Sequence, residues 1–363
     1  MSIPVSTELS TLEDYRLAAE AVLDKTIYDY IEGGAGDEIT SRSNLTDLAR
    51  LRLKPFAMRG ASDIDTRWHW RGRSFTVPIG ISPTALHCMV TEEGEAATAR
   101  AAAALGIPFI VSSMSSVDID RIAQQHGASG LWLQTYLFRD RGVTRELVSR
   151  AEALGFEAVI LTVGCPVPGL RDRNLRNRFR LPEHIGPAHF RRGRSGDANN
   201  PIHEFQNAEI DAAATWEDVA WLRQLTRLPL VAKGLLNTCD VAPAVDCGLE
   251  GVIVSNHGGR QLDTSVSSIA ALPAIFEEVD GRVPVFVDGG FRRGSDVLKA
   301  LALGADAVFL GRPVLWALAA RGEAGLTAMV QCLSREFVNA MQLAGCRDIA
   351  TLRGQSERLL VWR

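Results

Sequence analysis

The chain has 363 residues, 46% of them hydrophobic and 23% charged, and 39 Lys and Arg against 43 Asp and Glu leave a net charge of −4. That balance excludes a disordered chain and a nucleic-acid binder that relies on bulk positive charge. Long runs without acidic or basic residues, such as 74–91 and 101–117, are broken by Pro78, Pro83, Gly106 and Pro108, which excludes a membrane span there. Six cysteines without a CxxC pair point to reduced thiols and a cytoplasmic location. The opening MSIPVSTELSTLEDY lacks a basic start followed by an apolar core, so no secretory signal is expected.

In chain order, residues 1–76 read as an N-terminal cap. They hold a helical stretch over Leu12–Glu32, then GGAGDE, then a Trp- and Arg-bearing segment suited to a small hairpin. From residue 77 one rhythm repeats. Apolar runs at Val77–Ser82, Pro108–Ser113, Gly130–Tyr136, Ala158–Gly164, Pro229–Gly234, Gly251–Asn256, Pro284–Gly289 and Ala307–Arg312 alternate with amphipathic stretches. The latter include Glu93–Leu105, Val143–Leu154, Trp216–Leu225 and Val297–Leu303, and Leu326–Ala344 follows the last run. Val- and Ile-rich runs of this length, separated by helices, are parallel strands buried on both faces. The spacing predicts an α/β fold, a (β/α)8 TIM barrel with an N-terminal helical cap. A doubly wound sheet is the rival, but the first turn has no G-x-G-x-x-G. Residues 173–214 follow strand 4 without sustained periodicity, and a loop this long suggests an active-site lid. Within it Arg191, Arg192 and Arg194 read as a solvated basic cluster. The whole chain, 1–363, reads as a single domain.

Polar residues at the C-terminal ends of barrel strands face the active site. Those ends supply Thr84 and Ala85, Ser112, Gln134 and Tyr136, Thr162, Lys233, Ser255 with His257, Asp288, and Gly311 with Arg312. No His, Cys, Asp or Glu group has metal-ligand spacing, so no metal is expected. The Gly-Arg elements DGGFRRG and LGRP follow strands 7 and 8, the usual phosphate position in such barrels. There glycine admits close approach of backbone N–H groups, and Arg292 and Arg312 add charge-assisted bonds. In SNHGGRQLD, His257 is suited to proton transfer near neutral pH and Arg260 to a two-pronged grip on a carboxylate.

These blocks, with YDYIEGGAGDE, SPTAL, LQTYLFRDR, LTVGCP, VAKG, VDGGFRRGSDVLKALALGA and FLGRP, resemble the FMN-dependent α-hydroxy-acid oxidase and dehydrogenase family over nearly the whole chain. The resemblance implies non-covalent FMN and a small carboxylate-bearing substrate. It implies oxidation of a small or aryl α-hydroxy acid to the 2-oxo acid, and a homo-oligomer, a tetramer or octamer. The polar lid, which carries no membrane-inserting apolar run, and Ala85 favour O2 as acceptor over a membrane partner, and the charge balance speaks against nucleic acid. Carried over by position, His257 is the base, Arg260 and Arg171 hold the carboxylate with Tyr30, and Tyr136 lies near the hydroxyl. Lys233 stands beside the flavin N1 and O2. Thr84, Ala85, Ser112, Gln134, Thr162 and Ser255 match flavin contacts, Asp288 a ribityl contact, and Gly290, Arg292, Gly311 and Arg312 the phosphate site.

Two departures stand out. Where the family usually carries an Asp bonded to the catalytic His, this chain has Gly164; Cys165 is a poor substitute, and Asp172 belongs to the next stretch. Met114 stands where glycolate-type members often have a larger aromatic, which reshapes the substrate pocket. The first departure keeps two alternatives open: a flavin enzyme tailored to an α-amino acid or biosynthetic intermediate, and a weakly catalytic flavin binder.

Overall fold

The computed structural model describes residues 8–127, 130–190, 206, 209–353 and 355–363. Eight parallel strands close into a barrel, in chain order around the ring, with the eighth pairing back onto the first. They are Ile79–Ile81, Phe109–Ser112, Leu131–Thr135, Ala158–Thr162, Leu230–Leu235, Val252–Val254, Val285–Asp288 and Ala307–Leu310, called barrel strands 1 to 8 below. Each falls within one of the eight apolar runs apart from Leu235, one residue beyond the fifth. Their residues are almost all buried, because one face fills the barrel while the other packs on helices. The (β/α)8 barrel is therefore the fold.

Helices Glu95–Leu105, Arg141–Ala153, Trp216–Leu225 and Gly294–Ala302 lie near the predicted stretches. Three helices that the sequence pattern left unmarked, Ile119–His126, Val241–Asp246 and Ser268–Val279, also belong to the outer ring. The last helix, Arg312–Ala344, begins earlier than expected and is broken by non-helical backbone at Arg321 and Gly322. The stretch Leu12–Glu32 is two helices, Leu12–Val22 and Lys25–Glu32. Asp24 divides them, its side chain accepting from the Thr26 N–H as an N-cap. A further cap helix, Ile39–Arg50, leads into Leu51–Leu53, which pairs antiparallel with the C-terminal strand Leu360–Trp362.

The predicted hairpin is present as Trp68–Trp70 paired with Arg73–Phe75. Its Trp68, Trp70 and Phe75 join Ile110, Trp132, Ile160, Val231, Ile253, Phe286 and Phe309 in one buried cluster inside the barrel. Trp132 is central there, 4.5 Å from Trp70 and 5.5 Å from Phe309 between ring centroids. This aromatic plug fills the barrel below the functional rim. Of the loop region 173–214 that reads as a lid, residues 191–205, 207 and 208, Arg191, Arg192 and Arg194 included, lie outside the described residues. No helix among the described residues is long and apolar enough to cross a membrane.

Trp132→Ala empties the centre of the plug and is expected to cost about 3–5 kcal/mol. Urea unfolding checks this, and a loss below about 1 kcal/mol would show that the plug is not what holds the barrel interior.

Candidate active site

The C-terminal ends of the barrel strands converge on one cavity, which with its open mouth contains about 1070 Å³ of space. That is the scale of a cofactor and substrate together. Every site residue singled out in the sequence lines it except Ser255. Strand register sets the spacing: Ser112 lies beside Gln134, and Thr162 beside Lys233.

On one side the polar groups form a connected network. Gln134 Nε2 donates to Thr162 Oγ1 at 3.0 Å, and Gln134 Oε1 accepts from the Ser113 N–H at 3.1 Å and Ser112 Oγ at 3.3 Å. Lys233 Nζ pairs with Asp288 Oδ2 at 2.9 Å and donates to Ser255 Oγ at 3.0 Å. Ser82 Oγ also donates to Asp288 Oδ2, whereas Asp288 Oδ1 is buried without a protein partner. Ser255 stands behind the wall, holding Lys233 and accepting from the His257 N–H at 3.1 Å. Thr84 is fixed by the buried His87, whose other ring nitrogen bonds Thr98.

At the corner after strands 7 and 8, Gly290, Arg292, Gly311 and Arg312 meet at the start of the Arg312–Ala344 helix. Its free N–H groups and dipole favour an anion there. The Arg292 guanidinium lies 4.6 Å over the Trp316 ring. Arg312 Nε donates to the Ile31 carbonyl at 3.2 Å, at the C-terminal end of Lys25–Glu32.

On the other side stands His257. Its backbone has φ 56°, and Gly258 and Gly259 follow at 66° and 71°. A left-handed conformation at a non-glycine residue is strained and needs support. Support comes from the cap. Asn44 Nδ2 donates to Asn256 Oδ1 at 2.9 Å, and Asn256 Nδ2 donates back to Asn44 Oδ1 at 2.8 Å. Asn256 Oδ1 also accepts the Gly259 N–H at 3.1 Å. A Cβ on Gly259 would lie 2.4 Å from the Ser41 nitrogen, so only glycine fits against the cap. Asn44 is not legible in the sequence, because nothing in a helix marks a residue whose partner lies 212 positions away.

Arg260 is held by the cap as well. Its Nη1 donates to the Ile31 and Gly33 carbonyls at 2.9 and 2.7 Å, and its guanidinium lies 5.3 Å over the Tyr30 ring. Tyr30 in turn stacks on Phe179. Arg171 approaches from the loop after strand 4, donating to the Arg260 carbonyl at 3.5 Å. Met114 and Tyr136 continue into an apolar wall with Phe138, Cys165, Phe190 and Ile210. Here the structure revises one expectation: Cys165 Sγ sits 3.0 Å from His257 Nδ1.

Among the described residues, five cations, Arg171, Lys233, Arg260, Arg292 and Arg312, line the cavity against the single carboxylate Asp288. Burial, then the charges of Lys233, Arg171, Arg260 and Arg312, push His257 well below its ordinary value. Burial also pushes Arg292 down to about 10, and burial with Arg171 and Arg312 lowers Arg260. Unpaired buried charge is costly, so this cavity is made to be completed by anions.

Residues 19–359 match the family described as FMN-dependent dehydrogenase. The chain belongs to that family. The 2-hydroxyacid oxidase 1 of Mus musculus is 40% identical over 352 residues, covering 95% of each chain. The glycolate oxidase of Spinacia oleracea is 40% identical over 346 residues, covering 94% of each. Among solved structures, the crystal structure of mandelate oxidase superposes with a TM-score of 0.91 at 40% identity, covering 98% of this chain and 99% of its own. The protein is thus an FMN-dependent oxidoreductase, and neither an amino-acid enzyme nor a weakly catalytic flavin binder is favoured by these relatives. The cavity fits FMN. The glycine and arginine corner at a helix N-terminus suits one phosphate, and the orphaned Asp288 Oδ1 suits a ribityl hydroxyl.

Asn44→Ala leaves the Asn256 amide without its partner in a buried interface, which costs about 1–3 kcal/mol. It is also expected to slow flavin reduction by releasing the His257 turn. Thermal unfolding and anaerobic stopped flow measure the two effects, and wild-type values in both would sever the link between cap and base.

Stability should also depend on pH. Burial holds His87, His126 and His257 below their ordinary values, and His189 down to about 4. Each takes up a proton on unfolding. Their contribution is complete above about pH 6.5 and is lost as pH falls towards the folded values, at up to about 1.4 kcal/mol per group per pH unit. The melting temperature should drop between about pH 7.5 and pH 5; a flat profile would contradict neutral buried imidazoles.

Proposed function

We propose that residues 1–363 work as one unit, capped by residues 1–76, that oxidises a small or aryl 2-hydroxy acid to the 2-oxo acid and passes the electrons to O2. The observation that carries this reading is His257 in one cavity with Arg260, Arg171 and the Lys233–Asp288 pair. The named relatives are oxidases of hydroxy acids, which supports O2 as acceptor. All six cysteines are free thiols, which supports a reducing compartment such as the cytoplasm.

FMN held in this cavity would supply the acceptor for the two electrons that leave the substrate carbon. Arg260 and Arg171 hold the carboxylate, assisted by Tyr30, and Tyr136 bonds the hydroxyl. His257 takes the proton. Lys233 stabilises negative charge that develops on the opposite side. Thr84, Ala85, Ser112, Gln134 and Thr162 contact the flavin, and Gly290, Arg292, Gly311 and Arg312 hold its phosphate. The substrate side chain lies against Met114, which Phe138, Phe190 and Ile210 back from behind.

The cations around His257 give the carboxylate a second duty. With Arg171 and Arg260 unmatched, they repel an imidazolium. A carboxylate between them removes that repulsion, so binding the acid makes His257 a stronger base.

The test is anaerobic mixing of the yellow holoenzyme with glycolate, lactate and mandelate, followed by air. At least one acid should bleach the flavin, and air should restore the colour with formation of hydrogen peroxide. No bleaching by any 2-hydroxy acid would overturn the reading. Arg260→Lys keeps the charge but loses the two-pronged geometry. It should lower kcat/KM about 100-fold with FMN still bound, a size set by loss of a charge-assisted bond worth about 1.5–3 kcal/mol. An unchanged kcat/KM would remove Arg260 from the carboxylate site.

A further inference from the structure

We propose that Cys165 is the positioning residue for His257, its sulfur accepting a hydrogen bond from Nδ1–H and so presenting Nε2 as the free base. The inference rests on the reading of His257 as the proton acceptor.

Position 164 cannot supply an orienter. Gly164 lies backbone to backbone against Gly234, and a Cβ there would stand 2.9 Å from the Gly234 carbonyl oxygen and 3.1 Å from its Cα. Gly234 itself has φ 119° at the irregularity between Lys233 and Leu235. At the ends of barrel strands 4 and 5 the two backbones lie too close for a side chain at 164 without a shift. A substitution at 164 must force the strand ends away from each other, since there is no flexible side chain to push aside.

The next residue does reach the ring. Cys165 is buried at 4% exposure, with its sulfur 3.0 Å from His257 Nδ1. It is wedged in the apolar wall with Met114, Tyr136 and Phe190. Gln261, from the same loop as His257, binds the strand 4 loop that carries Cys165, its Oε1 accepting from the Gly169 N–H at 2.6 Å. A neutral imidazole carries one N–H, and whichever nitrogen is engaged as donor leaves the other with its lone pair. With Nδ1–H directed at the sulfur, Nε2 remains for the substrate.

This bond fixes geometry without adding charge. Burial pushes the Cys165 thiol up to about 11, so it stays protonated and cannot balance an imidazolium as a carboxylate would. Cys165 therefore performs one of the two duties of an orienting acid, and removing it should affect the rate of proton removal more than substrate binding.

The test compares Cys165→Ala, Cys165→Ser and His257→Gln holoenzymes. It uses anaerobic flavin reduction by the most effective acid among glycolate, lactate and mandelate. Cys165→Ala should lower the limiting reduction rate about tenfold, the scale of one neutral hydrogen bond, with the half-saturating acid concentration within about twofold of wild type. Cys165→Ser, which restores an acceptor, should stay within about threefold of wild type. A packing role predicts the reverse order, because a buried hydroxyl is the worse tenant of an apolar wall. Serine falling as far as alanine, or alanine matching wild type, would overturn the proposal.

Nitrogen NMR of holoenzyme labelled at histidine provides a readout independent of turnover. The His257 signals, identified by their loss in His257→Gln, should report a protonated Nδ1 in wild type and a shift towards protonated Nε2 in Cys165→Ala. A protonated Nε2 in wild type would equally sink it. His257→Gln should abolish reduction. If it reduces flavin at the wild-type rate, the assignment of the base fails and this inference falls with it. If it is inactive while Cys165→Ala is unimpaired, only the role of Cys165 is wrong.

Discussion

Five buried or half-buried cations surround a cavity whose own wall offers one carboxylate, already paired with Lys233. Such a surplus is tolerable only because the cations lean on local acceptors and π faces. Arg260 and Arg312 reach the carbonyls that end the Lys25–Glu32 helix, where a cation also meets the negative end of the dipole. Arg292 lies over Trp316 and Arg260 over Tyr30. These contacts hold the cations without neutralising them. Their field remains available for a phosphate at one end of the cavity and a carboxylate at the other, which are the anions that FMN and a hydroxy acid bring.

The same constraint explains why the cap belongs to the site. A barrel alone would offer strand ends, but the carbonyls that steady Arg260 and Arg312 come from Ile31 and Gly33. The Asn44–Asn256 amide pair holds three consecutive left-handed residues at His257. Strain of that kind persists only when surrounding bonds over-determine the backbone. Each amide uses both donor and acceptor atoms on its partner, so the bond is directional in both senses, and Gly259 gives the cap room to approach. The base is therefore placed by an interface between chain segments 212 residues apart.

Much of this is legible in the residues. The barrel strands are encoded by runs buried on both faces, a signal strong enough to place all eight. Functional residues at strand ends inherit that reliability, since register carries Ser112 to Gln134 and Thr162 to Lys233. Legibility fails where partners are distant or where a side chain is absent. The Leu51–Leu53 and Leu360–Trp362 pair joins short segments from near opposite ends of the chain, with no local pattern to betray it. Asn44 looks like any polar residue on a cap helix. Gly164 is readable as a missing carboxylate, but the sequence holds no record of how closely the Gly234 backbone, 70 residues away, packs against it.

That contact matters most for the chemistry. An orienting carboxylate fixes a histidine tautomer and also stabilises the charge that forms on the ring, and the two duties need not stay together. Around Gly164 they have separated. The closed contact with Gly234 leaves no room for an acid, while the thiol at 165 lies at hydrogen-bond distance from Nδ1 and remains neutral. The charges of Arg171 and Arg260 bear on the same imidazole. In the function proposed above, the substrate carboxylate held by those two arginines is then more than a handle. Its charge offsets theirs around His257, so in that reading recognition of the acid and activation of the base become one event.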